Sequence, residues 1–82
     1  MNKKLNKFLE QLYTMQDEVD EMIGECEEKQ SAIEDRACEH DRDMTEREQE
    51  KYDALDEKMQ ELRDALDNIG YAIEHLESAV EE

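Results

Sequence analysis

The chain has 82 residues, no proline, 2 glycines and 44% charged residues, which is the composition of one or two long helices and not of a mixed globule. Its 26 acids against 10 bases give a formal net charge of −16, which excludes direct binding to nucleic acid as the natural expectation. The same charge suits a disordered chain; sustained apolar heptads favour folded helices over that alternative.

The first seven residues are basic, but no apolar run follows them, and no stretch is apolar for long enough to span a bilayer. The expectation is a soluble protein of the cytoplasm of a bacterial host cell. Leu5, Phe8, Leu12, Met15, Val19, Met22 and Cys26 then alternate spacings of 3 and 4, which marks a helix with one apolar seam over about 2–38. The strict register next lands on Lys29 and recovers at Ile33, so a stutter is expected there. Cys26 falls on the seam as a small core residue and Cys38 lies near the helix end. On one helix they are about 18 Å apart, too far for a disulfide.

The polar stretch 39–44 has no apolar period and the length of a connection between antiparallel neighbours. Thr45-Glu46-Arg47-Glu48 is a capping box, so a second helix starts there and runs over 45–82. In it Tyr52, Leu55, Met59, Leu62, Leu66, Ile69, Ile73, Leu76 and Val80 keep an unbroken heptad. Pairs such as Leu5 with Val80, Cys26 with Met59 and Ile33 with Tyr52 have position numbers summing to 84 or 85 throughout, although a sum of 81 layers equally well. The expected fold is therefore all-α, an antiparallel two-helix coiled-coil hairpin.

Two helices make a thin core, and chains of this size commonly need a staple or an oligomer. Leu9 and Ile23 widen the first seam on one edge, while Ala65, Ala72 and Ala79 line the other edge of the second. Such edges suit further helices, so a homodimer forming a four-helix bundle is expected.

Charge is uneven along the chain. Residues 8–28 hold eight acids and no base, and 59–82 hold seven acids and Arg63. In a hairpin these blocks lie side by side, so one half of the rod carries most of the net charge. Candidate partner-binding residues are Asp17, Asp20, Glu21, Asp64, Asp67 and Glu74, with the off-seam tyrosines Tyr13 and Tyr71, since Tyr is enriched at interfaces. A surface of this kind attracts a basic groove and steers association. The alternative is a solvated face that confers solubility alone.

Catalytic and metal chemistry finds little to work with. Asp41, Asp43 and Thr45 imitate the start of a calcium loop, but Glu46 stands where Gly is needed and Tyr52 where Glu is needed. Ala37 and Ala72 precede His40 and His75 by three positions, where a di-iron bundle needs Glu. Cys38 and His40 are two ligands without a second pair. No enzyme, cofactor or metal site is expected.

The segments Glu48-Gln49-Glu50-Lys51-Tyr52-Asp53, Leu62-Arg63-Asp64-Ala65-Leu66-Asp67-Asn68-Ile69 and Ala72-Ile73-Glu74-His75-Leu76-Glu77 resemble small acidic helical proteins of unknown function from phages and mobile elements of gut bacteria. The resemblance covers roughly residues 45–82. It implies an accessory role of anti-CRISPR or anti-defence character and points to no individual residue. The functional expectation is a non-enzymatic acidic inhibitor, a nucleic-acid mimic occupying the basic groove of a host defence protein. The alternative is a structural coiled-coil adaptor.

Overall fold

The computed structural model describes residues 3–81. Two helices, α1 (Lys3–Glu39) and α2 (Glu46–Glu81), lie along each other as an all-α hairpin measuring 62 × 16 × 13 Å. The outermost positions expected to be helical, Asn2 and Glu82, fall outside the described residues. No described helix is long and apolar enough to cross a membrane.

Local hydrogen bonds terminate both helices at the turn. At the end of α1, the Arg42 amide donates to the Ala37 carbonyl at 3.2 Å and the Asp41 amide donates to Cys38 at 3.0 Å. This is the Schellman pattern, and it places Asp41 in the left-handed region at φ 49°. The capping box forms as expected at the start of α2. The Glu48 amide donates to Thr45 Oγ1 at 3.1 Å and the Thr45 amide donates to Glu48 Oε1 at 2.9 Å. Arg42 adds a 2.7 Å contact to Glu48, which ties the turn to the cap.

The α2 seam is the expected one, with Met59 and Ile73 buried and its other members half-buried. The α1 seam is not. Phe8, Met15 and Met22 are 48%, 49% and 40% exposed, while Leu9, Ile23, Cys26, Gln30 and Ala37 are buried. The α1 seam therefore runs Leu5, Leu9, Leu12, Gln16, Val19, Ile23, Cys26, Gln30, Ile33 and Ala37, spaced 4, 3, 4, 3 to the helix end. Leu9 and Ile23, expected on an edge, lie inside it.

The expected stutter at Lys29 disappears with this correction. Two adjacent stripes of α1 are apolar in its first half, and the larger side chains lie on the one turned outward. The inward stripe stays in register through Gln30, whose polarity is satisfied. Its Nε2 donates to the Tyr52 carbonyl at 3.1 Å and to Asp56 Oδ1 at 2.7 Å.

Ile23, Cys26 and Met59 form the buried cluster, packed by Val19, Leu55, Leu62 and Leu66. This matches the layers Val19 with Leu66, Ile23 with Leu62, Cys26 with Met59 and Gln30 with Leu55, each summing to 85. Extended outward, the same sum pairs Leu9 with Leu76 and Leu5 with Val80. Every layer then joins an a position of one helix to a d position of the other, the regular antiparallel arrangement.

Candidate functional site: an acidic flank

With the corrected seam, Leu9 becomes an a position of α1, as Tyr52 is of α2, and each side chain acquires a definite flank of the hairpin. The e positions of both helices share one edge and the g positions share the other. Contacts across the helices identify the first edge directly. Tyr13 Oη donates to Glu77 Oε1 at 3.2 Å, and Arg63 Nη2 lies 3.9 Å from Glu27 Oε1. These residues are e positions, and both pairs sum to 90. Further toward the turn, Tyr52 Oη donates to Glu34 Oε1 at 2.8 Å on the same side.

Along this edge the e positions and the neighbouring b positions carry nearly all of one sign. From Glu10 to Glu34, α1 contributes Glu10, Asp17, Asp20, Glu27 and Glu34. From Asp53 to Glu81, α2 contributes Asp53, Asp56, Asp67, Glu74, Glu77 and Glu81, against Arg63 within these two spans; Lys3, a b position at the start of α1, lies beyond them. Each helix places up to two carboxylates per heptad, about 10 Å of axis. Two such rows lie about 8–10 Å apart, the usual interaxial distance. The line density of charge approaches that of a single nucleic-acid strand, one per ~3.4 Å.

Two tyrosines buttress the edge near its ends. The Tyr13 phenol is pushed above its usual pKa by desolvation, then by its bond to Glu77. The Tyr52 phenol is raised by its hydrogen bond to Glu34 and that carboxylate's charge. Both therefore remain neutral donors that hold a carboxylate between the helices.

The expected partner-binding residues divide into two groups. Tyr13, Asp17, Asp20, Asp67 and Glu74 converge on the e/b edge. Glu21, Asp64 and Tyr71 fall on f positions, on the outer backs of the helices, and all three are exposed. Tyr13 reaches across to Glu77, and Tyr71 stands apart on the back of α2. Glu10, Glu34, Asp53, Asp56 and Glu81 are edge acids that sequence reasoning did not single out. Their signal was present in the sequence, but reading it requires the α1 seam to be placed on Leu9 and Ile23.

Apart from Lys3, Lys4 and Lys7 at the start of α1 and Arg63, the cations collect on the other edge and at the turn. A depression of about 590 Å³ at the turn is lined by Arg36, His40, Arg42, Arg47 and Lys51, with Thr45 and Glu48. Beside it a groove of about 480 Å³ is floored by Ala32, Ile33, Ala54 and Leu55 and rimmed by Lys29, Lys51 and Lys58. Among the described residues no group of three or more His, Cys, Asp or Glu side chains is placed to hold a metal ion.

No family model matches the chain, and neither a curated protein nor a solved structure matches it.

Proposed function

We propose that the chain is a non-enzymatic binding protein whose acidic e/b edge occupies a basic groove that normally holds nucleic acid, in the manner of an anti-CRISPR or anti-restriction inhibitor. The observation that carries this reading is the segregation of charge by face. Asp17, Asp20, Asp67 and Glu74 share one edge with other acids and Arg63, whereas Lys29, Lys51 and Lys58 rim a groove on the opposite edge. A coat serving solubility alone needs no such division, because net charge has that effect wherever it sits. Two parallel rows of carboxylates suit a groove that binds phosphates, and long-range attraction would dominate capture.

The test uses two variants of equal charge change. In the first, Asp17, Asp20, Asp67 and Glu74 are replaced by Lys; in the second, Glu21 and Asp64 on the outer backs are replaced by Lys together with Glu28 and Glu57. Each is assayed for displacing a DNA duplex from host nucleases retained from a bacterial lysate, over a salt series. The edge variant should lose displacement and the back variant should keep most of it. Equal loss in both would reduce the effect to net charge and remove the edge as a site.

A structural adaptor is the second reading, favoured by the exposure of Phe8, Met15 and Met22. Charged replacements at those three positions would disable an adaptor and leave DNA displacement intact. Leu9 and Ile23 are unsuitable for this purpose, because their burial means that a charge there would unfold the hairpin.

A further inference from the structure

We infer that the g edge of the hairpin is an interface for a second copy of this chain, packed antiparallel about a two-fold axis. The two halves of this edge differ in shape and charge. In the half near the termini, Phe8, Met15 and Met22 protrude from α1 beside the half-buried Ala65 and Ala72 of α2. In the half near the turn the surface is concave, the apolar groove of about 480 Å³ ringed by Lys29, Lys51 and Lys58.

These halves complement each other and not themselves. Laid parallel, two copies would bring lysines against lysines and one acid-rich terminal half against the other. Laid antiparallel, Phe8 and Met15 of each copy cover the groove floor of the other. The outer c positions beside the stripe, Glu18, Glu25 and Glu61, then face the lysine rim. One rotation satisfies both halves at once, the property of an isologous interface. A basic amphipathic helix from another protein would match the terminal half alone and leave the lysine-rimmed groove open.

The areas agree with a stable pair. The accessible surface is 6570 Å², against about 5,200 Å² expected of a compact monomer of this mass. No described side chain is completely buried. An edge about 50 Å long and about 12 Å wide would cover roughly 600 Å² per copy in flat projection, within the range of specific interfaces once both surfaces are counted. The acidic edges lie on the far sides of such a pair, so this inference stands apart from the proposed function and its test does not measure partner capture.

Light scattering and pulsed dipolar spectroscopy on the full chain distinguish the outcomes, with a nitroxide on Cys38, the exposed cysteine, while Cys26 is buried. The expected result is a mass twice the chain's 9.8 kDa. The Cys38 labels should lie about 50 Å apart, since covering the groove with Phe8 and Met15 puts the two-fold axis about 17 residues from each at 1.5 Å per residue. Met15→Glu should weaken the pair at least about 10-fold as an interface anchor does, with helicity retained because Met15 is exposed. Lys51→Glu/Lys58→Glu should weaken it likewise, and mixing that variant with Glu18→Lys/Glu25→Lys should restore pairing. A monomer at about 100 µM, where even weak specific pairs associate, would overturn the inference. So would a dimer with labels about 20 Å apart, the parallel arrangement, or one that survives both substitutions.

Discussion

Glu48 holds three roles in one side chain. It accepts from the Thr45 amide, it ion-pairs with Arg42, and its own amide is capped by Thr45. Arg42 first, and the Thr45 amide second, hold its carboxyl down to about 2, from an ordinary 4.5. A folded-state pKa below the unfolded one contributes stability that is complete above the unfolded value and fades as pH falls toward the folded one. The difference in stability between the chain and Glu48→Gln should therefore be largest at neutral pH. It should shrink between about pH 5 and 2 in paired urea titrations, and a difference independent of pH would show that the carboxylate charge is irrelevant to the cap. Gln30 is the complementary case. The capping box was legible because its spacing is local, whereas a glutamine on a seam reads as an interruption until its two acceptors on α2 are placed. With Asp56 exposed and able to turn to water, Gln30→Leu should raise stability by about 1 kcal/mol. Thermal unfolding would register that as roughly 4–8 °C; a drop would mean the bridge outweighs a buried leucine.

At the scale of the elements, the α2 heptad was fully legible because one stripe of that helix is apolar and its neighbours are charged. The α1 seam was not, for a physical reason. Phe8, Met15 and Met22 are larger than the residues beside them, and hydrophobicity reports how much a side chain gains by leaving water, not which surface it leaves for. The tie is broken by layer geometry, since Leu9 and Ile23 complete the constant pairing with Leu76 and Leu62 and the outward stripe does not. The helix ends show the same coupling between elements. α1 begins with Lys3, Lys4 and Lys7 and has no acid in its first turn, while α2 ends without a base. Alone, each end opposes its helix dipole; side by side, the lysines lie next to the carbonyl end of α2. Gly24 and Gly70 are a different kind of cost. Both are inside helices at negative φ, and a Cβ at either would meet nothing within 4 Å. Replacing both with Ala should stabilise the hairpin by about 1 kcal/mol each, read as additive shifts in urea midpoint. A smaller gain at Gly70, the half-buried e position facing Asp20, would show that the acidic edge relaxes around it.

For the whole molecule, the balance of charge sets opposite signs on two salt dependences. The rod carries −16 over 62 Å, about one net charge per 4 Å, and the described cross-helix ion pairs include the long, exposed contact between Arg63 and Glu27. Such a pair contributes little, whereas carboxylates facing each other along the e/b edge repel within the folded state. Folding brings those rows together, so added salt should stabilise the hairpin by screening them, as the Debye length falls from about 30 Å at 0.01 M to about 8 Å at 0.15 M. A midpoint of thermal unfolding that climbs over this range is the expected outcome, and Asp20→Asn/Glu27→Gln should reduce the slope. The proposed capture of a basic groove would have the reverse dependence, because the same screening removes the attraction between partners. The two measurements on one chain then separate the roles of its acids. Stability that rises with salt while capture falls assigns the edge a cost in folding that is recovered in binding. Stability that is flat with salt would mean the edge carboxylates do not repel as placed, and the charge would then bear on folding no more than on any solvated surface.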